Sequence, residues 1–143
     1  MRHALITLAL LSAFQFVGAQ EKDNRTPLEA YQGSTYYHQI MCEATLSLAL
    51  ARGDLYRPQD NSSDVQGCIS KGKTEAKTSF NKALRTIRKP AAKEALKNYH
   101  VAFVTALEGL LPGTQEPKFV YEQRQQTLKS RLAETWAKFE LEN

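Results

Sequence analysis

No alternating run of β-branched residues survives inspection of this chain, so nothing in it reads as a β-strand. Internal repeats are absent too. Only two cysteines occur, Cys42 and Cys68, and they allow a single intramolecular pairing. There is no C-x-x-C-H, which removes covalent haem attachment. After Phe16 no apolar run approaches the roughly 20 residues a spanning helix needs. No nucleophile elbow and no carboxylate pair in an apolar setting is present, so the chain is read as a non-enzyme.

What is there begins with a leader. Arg2 and His3 precede an uncharged apolar run, Ala4 to Phe16, and Val17-Gly18-Ala19 supplies small residues before Gln20. This is the pattern of a cleaved signal peptide over 1–19. The expected product is one helical domain over 20–143, exported to the periplasm, with the extracellular space as the alternative. An even cysteine count in an exported chain favours a Cys42–Cys68 disulfide. Their separation of 26 positions would contribute about 3–3.5 kcal/mol in the chain-entropy model.

The rest reads as helices. Thr26-Pro27-Leu28-Glu29 combines a cap, a first-turn proline and a capping-box carboxylate. That helix should run to about Arg52, with Gly53 ending it and Tyr37, Ile40, Met41, Ala44 and Leu48 as its inner face. Gly53 to Ser63 is a loop rich in turn formers. A helix capped by Ser62, Ser63 or Asp64 follows, its apolar stripe including Ile69, Ala76, Phe80 and Ala83. Folding back brings Cys68 beside Cys42. Gly67 and Gly72 either permit close helix approach or delay the regular helix to Thr74. At Pro90 the apolar phase carries across, which favours a kink, but an unbroken rod would be about 70 Å long. Compactness therefore favours a break. A last helix begins near Glu116 or Pro117, with Tyr121, Leu128, Leu132, Trp136 and Phe139 as its stripe. The fold class is all-α: a small antiparallel three- or four-helix bundle with one disulfide.

Gly67-Cys68-Ile69-Ser70-Lys71-Gly72-Lys73-Thr74 satisfies G-x-x-x-x-G-K-T. A phosphate loop must follow a buried strand, and Pro58 to Asp64 cannot form one. No nucleotide is therefore expected. His38, Met41 and His100 are the residues with which a bundle would hold haem or a metal. Each has a simpler role, and no cofactor is assigned.

Charge is more informative. Nine basic residues lie between Lys71 and Lys97, opposed only by Glu75 and Glu94, which gives this stretch +7 in a chain of net +4. Lys82, Arg85, Lys89, Lys93 and Lys97 form a stripe opposite the apolar face and are the candidate partner-binding residues. They imply an anionic protein or envelope surface. Without interleaved aromatics, nucleic acid is disfavoured. The function expected is that of an exported protein binding another macromolecule, as an inhibitor, an immunity-type protein or an envelope adaptor. A small haem, metal or ligand carrier, and a hydrolase with no readable motif, are the alternatives.

Overall fold

A computed structural model describes residues 24–51, 62–113 and 115–143, and among them finds four helices and no strand. They are α1 (Pro27–Ala51), α2 (Ser62–Thr86), α3 (Pro90–Glu108) and α4 (Lys118–Glu142). The signal-peptide reading and most of the loop expected from Gly53 lie outside the described residues. No described helix is long and apolar enough to cross a membrane.

Local chemistry sets the helix boundaries. Glu29 N–H donates to Thr26 Oγ1 at 3.2 Å, and Thr26 N–H donates to Glu29 Oε2 at 2.7 Å. This is the expected capping box. The two Thr26 bonds, backbone first, hold the Glu29 carboxyl below its ordinary range. At the other junction the chain breaks. Helix α2 ends at Thr86, Lys89 is extended (φ −71°, ψ 126°), and Pro90 opens α3. Proline lacks the N–H that an interior turn would use, but the first helical position does not need it. Helix α2 is continuous through Gly67 and Gly72, and α1 through Gly33-Ser34.

Successive helices run antiparallel. Cys42 and Cys68 join α1 to α2 in a disulfide with a Cα–Cα distance of 5.6 Å. The Phe80 ring stacks on His100, with centroids 4.2 Å apart, tying α2 to α3. Tyr99 meets Trp136 edge-on at 4.8 Å, tying α3 to α4. Helices α1 and α2 pack closely, as do α3 and α4, whereas α1 and α4 stand further apart. Phe103, Phe139, Leu96, Leu107 and Val65 are fully buried between them, each contributing about 1.5–3 kcal/mol by leaving water. The α4 stripe falls as expected, with Leu132 and Phe139 buried and Tyr121, Leu128 and Trp136 packed against the core.

The inner face of α1 is a correction. Tyr37, Ile40, Met41 and Leu48 are 55, 44, 42 and 57% exposed, and Ala44 is exposed as well. The buried residues are instead Tyr31, Thr35, His38, Cys42, Leu46 and Ala49. The reason is physical. Cys42 must face Cys68, and the polar residues on its side find partners inside. Thr35 Oγ1 lies 3.0 Å from the Tyr99 hydroxyl, and His38 Nε2 lies 2.9 Å from Glu75 Oε2. A buried polar group costs little once it is hydrogen-bonded.

Candidate functional site

The break at Pro90 turns the expected basic stripe into a hairpin tip. Lys82 and Arg85 are exposed, three residues apart on the last turns of α2. Lys89 sits at the N-cap of α3, and Lys93 and Lys97 follow at steps of four along that helix. At 1.5 Å per residue, all five lie within roughly 11 Å, along a helix axis, of the turn. Thr26, Pro27 and Leu28 at the start of α1, the turn residues Ile87, Arg88 and Lys89, and Asn143 line a shallow hollow at the same end of the bundle.

Two of the five are engaged. Lys89 Nζ donates to the main-chain oxygen of Asn143 at 2.8 Å, and Lys97 pairs with Glu94 at 3.1 Å. Among the described residues, Lys82, Arg85, Arg88 and Lys93 have no carboxylate partner. Elsewhere Lys71 pairs with Glu75, Lys73 with Glu108, Lys118 with Glu122, Arg124 with Glu116 and Lys129 with Glu43, while Lys77, Arg131 and Lys138 lack carboxylate partners among the described residues but are spread along α2 and α4 rather than gathered at one end. Helix α3 also starts without a side-chain cap and without an acid in its first turn. A cation beside a helix N-terminus opposes the macrodipole at a cost of about 0.3–1 kcal/mol. Lys89 and Lys93 therefore raise the positive potential where local stability would favour an acid.

The other sequence candidates are dispersed. His38 is buried against Glu75, Met41 points outward, and Cys42 is in the disulfide. His100 Nδ1 lies 3.0 Å from the Tyr31 hydroxyl. Burial, then the nearby Lys77 charge, pushes the His100 pKa down, while burial pushes the Tyr31 and Tyr99 phenols up. These residues form an inner polar layer spanning α1 and α3. Among the described residues no three His, Cys, Asp or Glu side chains cluster as metal ligands would. The phosphate-loop string lies inside α2, where its backbone amides serve the helix. Gly72 is buried against His38 and Leu107, Lys73 pairs with Glu108, and Thr74 Oγ1 donates to the Ser70 carbonyl.

One feature was not legible beforehand, a cleft of about 620 Å³ between α1 and α4. Tyr36, Tyr99 and Trp136 line it together with Gln32 and Gln39, and Lys129, paired with Glu43, stands at its edge. Trp136 Nε1 donates to Glu140 at 2.7 Å. The cleft follows from α1 and α4 belonging to different close-packed pairs, and no local spacing carries that information.

Comparison with family models, with curated proteins and with solved structures finds no match to this chain.

Proposed function

We propose that this is an exported, non-enzymatic helical protein of the periplasm that binds an anionic macromolecule through its α2–α3 tip. An acidic protein, bound in the manner of an inhibitor, an immunity-type protein or an envelope adaptor, fits the tip best. One observation carries the reading: Lys82, Arg85, Arg88 and Lys93 lack carboxylate partners among the described residues and converge where a helix N-terminus is already positive. A patch of one sign speeds encounter with an oppositely charged partner and suppresses like-charged ones. The disulfide is in keeping with an oxidising compartment.

The test is capture from native envelope extract by the wild type and by a variant carrying Lys82→Glu, Arg85→Glu, Lys89→Glu and Lys93→Glu. All four side chains lie outside the core, so the variant should fold. The wild type is expected to retain a partner at low ionic strength and release it as salt rises, and the variant to retain none. Identical captured proteins from both would refute the proposal.

A further inference from the structure

Helix α1 carries only two formal charges in 25 residues, Glu29 and Glu43. The first closes the capping box and the second pairs with Lys129. One side of the helix is buried in the bundle. On the other side Ser34, Tyr37, Met41, Ala44, Leu48 and Ala51 recur at steps of three and four, with Ile40 alongside. Steps of three and four set these residues along one face of the helix. Among the described residues, no other helix covers Tyr37, Ile40, Met41 or Leu48, which are 42–57% exposed.

The chemistry of the seam selects its occupant. A helix lying on a lipid surface brings Lys or Arg on its polar side, and α1 has neither. An uncharged seam, by contrast, meets no like-charge penalty from an identical copy. The seam mixes small and large residues. In an antiparallel pair centred level with Cys42 and Glu43, Met41 of one copy faces Ala44 of the other. Tyr37 then faces Leu48, and Ser34 faces Ala51. The basic tips settle the direction. They lie at the N-terminal end of α1, so a parallel pair would set them side by side. An antiparallel pair places them at opposite ends of helices about 37 Å long, several screening lengths apart. The exposed parts of the seam amount to roughly 500 Å² per copy, or about 1,000 Å² per pair, which reaches the lower edge of specific interfaces.

We propose that the outward face of α1 is a self-association surface through which two copies pair antiparallel about a twofold axis. This stands independently of the partner proposed for the tip. A dimer of this kind would carry two tips facing away from each other, giving bivalent contact with a repetitive or dimeric partner.

Sedimentation equilibrium of the disulfide-bonded protein over roughly 1–200 µM is the test, since small interfaces dissociate in that range. The wild type is expected to reach twice the mass of the chain. Ala44→Glu and, as a second variant, Leu48→Glu should each weaken the pairing at least tenfold by setting carboxylates against the seam, and both positions are exposed, so the fold should survive. Val101→Glu, at a 57% exposed position on α3, should leave the dimer intact. A wild type monomeric throughout would overturn the proposal. So would a dimer that Ala44→Glu and Leu48→Glu leave unchanged, or one that Val101→Glu weakens equally. Binding of a monomeric wild type to uncharged phosphatidylcholine vesicles would assign the seam to membrane instead.

Discussion

Replacing Gly67 and Gly72 separately with alanine should stabilise the protein at the first position and not at the second. Both glycines lie inside α2, and in each case alanine improves helix propensity by about 1 kcal/mol. Gly67 is exposed, and a Cβ there meets nothing within 4 Å. The Gly67→Ala variant should therefore gain about that amount. At Gly72 a Cβ would stand 3.1 Å from His38 Cβ and 3.1 Å from Leu107 Cδ1. Neither neighbour yields easily. Leu107 is 1% exposed, and His38 is held one turn from the disulfide by its contact with Glu75. Inserting a methyl into such a site costs about 1–3 kcal/mol. Because the propensity gain is common to both, the difference between the variants isolates the packing cost, about 1–3 kcal/mol. Urea unfolding with the disulfide intact measures it directly. If Gly72→Ala proves as stable as Gly67→Ala, the close approach of α1 and α2 assigned here to Gly72 is wrong.

Two further perturbations probe the frame. Reduction of the Cys42–Cys68 bridge, or Cys42→Ser paired with Cys68→Ser, opens a 26-residue separation and should lower unfolding free energy by about 3.5 kcal/mol; a loss under 1 kcal/mol would mean that packing alone fixes the α1–α2 pair. At the α3–α4 loop, Arg124 donates to both Glu116 oxygens at 2.9 and 2.7 Å and to the Leu111 carbonyl at 3.1 Å. The Arg124 guanidinium, then the Gly113 amide, pulls the Glu116 pKa from its ordinary 4.5 to about 2. A carboxylate with a depressed folded pKa stabilises fully above its unfolded value, and that contribution disappears as pH falls through the folded one. The stability gap between wild type and Glu116→Gln should thus be constant above pH 4.5 and close between 4.5 and about 2; a gap independent of pH across that window would refute the assignment.

Features set by neighbours in sequence were readable in advance. The capping box at Thr26 and Glu29, the stop before Pro90 and the α4 stripe ending in Trp136 and Phe139 all depend on spacings of three or four. The disulfide followed from two cysteines on helices joined by one loop. The inward face of α1 was not readable, because that helix has apolar residues on both sides. Spacing alone chose Tyr37, Ile40, Met41, Ala44 and Leu48, the more hydrophobic side. The choice inside the fold depends on long-range partners: Cys68 for Cys42, Tyr99 for Thr35 and Glu75 for His38. Likewise the basic residues look like a continuous stripe along the chain, and only the turn at Ile87 to Lys89 folds them into a tip. The α1–α4 cleft depends on which helix pairs close tightest, a property of the whole bundle.

The tip is the proposed partner surface. The direct measurement is photo-crosslinking in living cells, with a photoreactive residue placed at Lys82, Arg85 or Lys93, or at exposed Phe119 on α4. A tip that binds the partner should give a common crosslinked partner from the three tip positions and none from Phe119. Crosslinks from Phe119 with none from the tip would contradict it.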